Sequence, residues 1–171
     1  MQKNPKLIVS RKVIRFDMFE KECDISRQKR VLVGGCFDLL HVGHVRFLRS
    51  SKKRGDNLII ALESDDFIRM KKKREPVYPQ RERAEILAEL SCVNSIILLP
   101  FFQSDKEYMS LVKTICPAVI AVTHDDPYLT HKKEQAVAVG GEVIVVLNRI
   151  SLHSTNVVLH RIIEVQKQIR H

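Results

Sequence analysis

A chain of 171 residues, 44% hydrophobic and 29% charged, has enough apolar material for one domain with a sizeable core, which excludes a disordered tail. Its net charge of +9 admits anionic partners without choosing among nucleotide, nucleic acid and membrane surface. No apolar run approaches the roughly 18 residues that span a bilayer, and the four scattered cysteines form no C-x-x-C pair, so a cytoplasmic protein without a disulfide framework is expected.

Residues 1–29 form an extension ahead of the first core strand. Lys6 to Phe16 carries short apolar runs broken by charges, and Asp17 offers a cap for a short helix. The extension is expected to pack on the domain or to make a dimer contact, and residues 30–171 form the domain itself. The segment from Val31 to Leu48 is the most informative in the chain. Val31, Leu32 and Val33 read as a buried strand ended by Gly34 and Gly35, and an apolar pattern of helical period starts near Val42. A strand, a glycine turn and a helix start make an anion site, because the first free N–H groups and the helix dipole both favour negative charge there. His41 and His44, three residues apart, share one side of that first turn, and Gly43 between them lets a phosphate approach the backbone. Two imidazoles around one phosphate suit phosphoryl or nucleotidyl transfer, which needs fixed donors for the charge on non-bridging oxygens. The alternatives, a solvated helix start or a structural metal pair, do not account for the strand, the glycines and Asp38 beside them.

This first helix is expected to end at Gly55 as its C′ residue. Asn57 to Glu63 is the second strand, and Ser64 or Asp65 caps a short helix that runs into Arg69-Met70-Lys71-Lys72-Lys73-Arg74, the densest charge run in the chain. Two prolines, Pro76 and Pro79, stiffen the link to a helix over about 80–91. Arg81 and Arg83 stand in its first turn, where they oppose the dipole unless an anion lies near. Ser95 to Leu99 is the third strand, Asp105 opens a helix that Pro117 stops, and Ala118 to Val122 is the fourth strand. Thr123-His124-Asp125-Asp126 follows at the carboxyl end of a strand, where parallel sheets collect ligands, although one of the two aspartates suits an Asx turn. Gly140 and Gly141 end the next helix, Glu142 to Leu147 is the fifth strand, and Ser154 and Thr155 stand at the start of a last helix with Arg149 close behind. This alternation predicts an α/β fold, a doubly wound parallel sheet of five strands.

The run GGCFDLLHVGHVRFL resembles the signature of the cytidylyltransferase-like nucleotidyltransferases, an apolar strand followed by G-x-F-D-x-x-H-x-G-H and a helix. A second motif of that family, rich in Ser and Thr, is similar to Leu152-His153-Ser154-Thr155-Asn156, with His153 in place of the first hydroxyl residue. The resemblance covers about residues 29–161 and implies a Rossmann-like fold and an enzyme. The implied reaction is attack by an acceptor phosphate on the α-phosphate of ATP or CTP, with loss of pyrophosphate. It implies catalytic roles for His41 and His44 and nucleotide or phosphate contacts from Gly35, Cys36, Phe37, Gly43, Lys73, Arg83, Arg149, Ser154 and Thr155, with Arg81 as an alternative to Arg83. Asp38 and Asp125 or Asp126 are the implied acceptor contacts, and Mg2+ accompanies the triphosphate. Among members of the family, those acting on heptose 1-phosphate are preferred, with glycerol 3-phosphate and FMN as the alternative acceptors. The loop His124-Asp125-Asp126 lacks the lysine and glycines of the heptose enzymes, so it does not name the acceptor. A homodimer is expected from the family. A non-catalytic nucleotide or nucleic-acid binder is the competing class. The intact histidine pair argues against it, and no basic stripe interleaved with aromatics supports nucleic acid.

Overall fold

The computed structural model describes residues 10–18, 28–147 and 155–169. Its strands are β1 (Val13–Arg15), β2 (Arg30–Gly35), β3 (Asn57–Leu62), β4 (Ser95–Leu98), β5 (Val119–Thr123) and β6 (Glu142–Leu147). The helices are α1 (Val42–Lys52), α2 (Asp65–Lys72), α3 (Gln80–Ala88), α4 (Asp105–Ile115), α5 (Leu129–Val137) and α6 (Thr155–Ile169). All strand pairs are parallel, in the order β1-β4-β3-β2-β5-β6. The sheet therefore has six strands where the sequence predicted five. The additional one is the edge strand β1, in register with β4 from Val13–Ile96 to Arg15–Leu98. Three residues bounded by Lys12 and Arg15 give no periodic signal, and an edge strand needs none, since a short charged strand discourages further pairing. Lys12 serves the fold as well, donating to the Ala88 and Leu90 carbonyls at 2.7 and 3.3 Å where α3 ends.

The central strands are apolar on both faces, as a parallel sheet covered by helices requires. Val31, Val33, Leu58, Ile60 and Ile96 point to one side, against Phe47 and Leu48 of α1 and Ala84 and Leu87 of α3. Leu32, Ile59, Ala61, Ile97 and Ile120 point to the other, against Leu111, Val112 and Ile115 of α4 and Ala136 of α5. The period of two along each strand thus divides the core into two layers. The helix caps largely follow the sequence. Ser64 accepts from the Phe67 N–H at 3.1 Å, and Ser104 and Glu107 form a capping box.

Gly55 departs from its expected role. Lys53 caps α1 in right-handed geometry, and a Cβ on Gly55 would lie 2.4 Å from the Lys29 carbonyl. The glycine is there for a close backbone approach, not for a left-handed turn.

The topology reverses between β2 and β5. Chain order continues from β2 to β3 on one side, while β5 and β6 lie on the other. The loops leaving β2 and β5 diverge at this point, so a crevice opens beyond the carboxyl ends of the strands.

Candidate active site

That crevice is a cavity of about 860 Å³, within the usual range for a small-molecule site. The loop leaving β2 brings Gly34, Gly35, Cys36, Phe37, His41, Gly43 and His44 onto its wall. His41 is the N-cap of α1: its Nδ1 accepts from the Gly43 N–H at 3.1 Å, so in the neutral ring the proton sits on Nε2. His44 follows one turn later, its ring stacked on that of His41 at 3.8 Å. Burial and the neighbouring His41 push the His44 imidazole down to about 4, against a smaller opposing pull from the Leu39 carbonyl. At neutral pH His44 is therefore an uncharged group on the cavity wall. Phe37 supports it from the other side at 5.1 Å, with a backbone φ of 44°. Left-handed geometry is costly for a phenylalanine, on the order of 1–3 kcal/mol, and such positions collect at functional sites. Gly35 accommodates the same ring, because a Cβ there would come within 3.0 Å of it.

Two expected contacts turn inward instead. Asp38 is 1% exposed; its carboxylate pairs with Arg74 and accepts from the Val77 and Tyr78 N–H groups at 2.9 and 3.3 Å. It pins the loop between α2 and α3. Arg83 is likewise 1% exposed. Its three nitrogens go to the Cys36 carbonyl, to the Tyr78 carbonyl at 3.0 Å and to Asp65 at 2.6 Å. The anion that offsets its unfavourable place in the first turn of α3 is thus a carboxylate of the protein. Arg83 braces the site, its nitrogens paired within the protein, while Arg81 is exposed.

The basic run divides in a similar way. Lys71, Lys72 and Arg74 lie on the wall of the cavity. Lys73 does not: it is the left-handed C-cap of α2 (φ 56°) and is exposed. Past β5, Asp126 is on the wall, where it accepts from the Tyr128 N–H at 2.9 Å and from Lys132 at 2.7 Å. The Asx turn and the wall position thus belong to one residue. Asp125 faces away and pairs with His124 at 2.9 Å. Arg149, His153 and Ser154 lie outside the described residues; Thr155 opens α6, and its side chain lies outside the description as well.

The far wall was absent from the sequence reading. Glu63, at the carboxyl end of β3, is 7% exposed and accepts from the Tyr108 hydroxyl at 3.0 Å. Burial pushes its carboxyl up to about 7, against the Tyr108 hydrogen bond and the charges of Lys132, Arg83 and Lys72. Burial and Glu63 likewise raise the Tyr108 phenol, and push the Cys36 thiol up to about 11, which leaves that thiol protonated. Phe67, Leu99, Phe102 and Tyr108 make the surrounding wall aromatic and apolar, with Phe102 edge-on to Tyr108 at 5.0 Å. A carboxylate ending the run Leu58-Ile59-Ile60-Ala61-Leu62 is the one sequence signal that pointed here.

Comparison with known proteins bears on the whole arrangement. A profile of the cytidylyltransferase-like family matches residues 32–168. The FAD synthase of Thermococcus kodakarensis is 37% identical over 140 residues, which span 79% of this chain and 92% of that protein. The bifunctional protein HldE of Geobacter metallireducens is 35% identical over 140 residues, 80% of this chain and 28% of that longer protein. The crystal structure of the lipopolysaccharide core biosynthesis protein from Thermoplasma volcanium superposes with a TM-score of 0.59 at 27% identity, covering 72% of this chain and 98% of that one.

Proposed function

This chain belongs to the cytidylyltransferase-like family, and on that premise we propose that it transfers AMP from ATP to the phosphate of FMN, releasing pyrophosphate. The observation that carries this reading is the far wall of the cavity. Phe67, Leu99, Phe102 and Tyr108 offer a flat ring apolar contact, and Gln103, Ser104 and Asp105 line the same cavity with polar groups for its edge. Similarity to FAD synthases over nine-tenths of their length speaks for the same acceptor. The sequence preference for heptose 1-phosphate finds support in the likeness to HldE, but the wall favours the ring.

In this reading the FMN phosphate oxygen attacks the α-phosphorus of ATP, and the bond to the bridging oxygen of pyrophosphate breaks. His41 and His44 hold the charge that gathers on the α-phosphate, and the free N–H groups at the start of α1 add to it. The acceptor is already anionic, so no side chain need act as nucleophile. Lys71, on the cavity wall, meets the triphosphate in this reading. When bound with the nucleotide, Mg2+ would supply charge neutralisation of its phosphates. Among the described residues there is no group of three or more His, Cys, Asp or Glu side chains that could hold a metal ion. Pairing of two copies is proposed as well, supported by Ile162, Ile163, Val165 and Ile169, which stay exposed along α6.

The test is pyrophosphate release from ATP or CTP offered with FMN, glycerol 3-phosphate or heptose 1-phosphate, with FAD followed by chromatography. ATP with FMN is expected to be the productive pair. Turnover of a sugar phosphate without turnover of FMN would overturn the reading.

A further inference from the structure

Glu63 is the best-built polar feature of the far wall, and the reaction just described does not use it. Its Oε1 is fixed by the Tyr108 hydroxyl at 3.0 Å, while Oε2 is buried with no hydrogen-bond partner among the described residues, and Glu63 lines the cavity. A buried carboxylate oxygen left unmatched costs free energy, and native structures keep such groups where a ligand completes them. The surroundings define that ligand. Phe67, Leu99 and Phe102 line the same cavity as Glu63, a lining that suits a flat, partly apolar ligand with a donor on its edge. An oxidised isoalloxazine ring has one such donor, a ring N–H between two carbonyl groups.

We infer that Glu63, fixed by Tyr108, determines acceptor specificity by accepting a hydrogen bond from the ring N–H of the flavin, an assignment that rests on the FMN reading above. Lys72 of α2 lines the same cavity and supplies a cationic donor suited to a flanking carbonyl, while Lys132 of α5, also on the lining, is paired with Asp126 at 2.7 Å. The groups whose charges act on Glu63 are Lys72, Arg83 and Lys132, with Tyr108 bonded to it directly. The ligand's donor favours the ionised carboxylate, so FMN binding should release a proton and tighten as the pH rises through 7.

The experiment uses the full chain with FMN and with an analogue methylated at the ring nitrogen, which keeps the shape and removes the donor. The wild type is expected to use FMN with a kcat/KM at least about tenfold above that for the analogue, the size of a lost hydrogen bond to a charged group. E63A should bring that ratio close to one while leaving the KM for ATP unchanged. Binding titrations followed by flavin fluorescence should give the same ratios, and E63Q should flatten the pH dependence of FMN binding. An unchanged ratio in E63A, or a rise confined to the KM for ATP, would overturn the assignment. If E63A does not fold, the wild type decides alone, since equal use of FMN and the analogue overturns it. A wild type that adenylylates neither would sink the FMN reading itself, whereas equal turnover of both sinks only the role of Glu63.

Discussion

His41 does two jobs in one ring, closing the first turn of α1 and lining the cavity, and the two can be separated by substitution. H41A should lower kcat about a hundredfold and also cost about 1 kcal/mol of stability, because the cap is lost with the donor. H41N restores a good cap, so its melting temperature should return to that of the wild type while turnover stays low. H44A should lose about as much turnover. Near-normal turnover in H41N or H44A would place the reacting centre elsewhere. Glu63 allows a test without substrate. Its carboxyl titrates at about 7 in the fold against an ordinary 4.5, so the folded protein holds the extra proton between those values. Stability should therefore fall as the pH rises from about 4.5 to 7. E63Q stays neutral, so it should gain on the wild type from pH 5 to pH 8, by on the order of 2 kcal/mol. Thermal unfolding of the two proteins across that range checks it, and a constant difference would mean that Glu63 is ionised throughout.

Among the elements, α2 carries the clearest division between cavity and solvent. Lys71 faces the cavity and Lys73 caps the helix in solvent. K71A should raise the KM for ATP several-fold with little change in the KM for FMN, while K73A should leave both constants in place; steady-state kinetics of the two variants decides it. The sequence showed the strand, turn and helix from Val31 to Leu48 because everything that makes them lies within about twenty consecutive residues. It could not show what Asp38 and Arg83 do. A charge reads the same whether it meets a ligand or a partner elsewhere in the chain, and here the partners are Arg74, 36 residues away, and Asp65, 18 residues away. Glu63 escaped for the same reason, since its meaning depends on Tyr108, 45 residues further along. Strand β1 escaped because three residues cannot establish a period.

At the scale of the molecule the open question is assembly. Sedimentation at micromolar concentration should give twice the 19.8 kDa of one chain, and a single species at that mass would leave the apolar side of α6 without a second copy. The order of the strands carries a further consequence. The histidine pair leaves the central strand β2, whereas Glu63, Leu99 and Tyr108 come from β3, the end of β4 and α4. On the FMN reading, the reacting centre and the acceptor wall are thus built by different stretches of chain, joined through the Arg83 brace and the backbone of the sheet. A duplicated gene can drift in the second stretch and take up a new acceptor while it inherits the first unaltered. On this reading one ancestral transferase diversifies by exchanging a side wall, and the chemistry passes down the lineage intact.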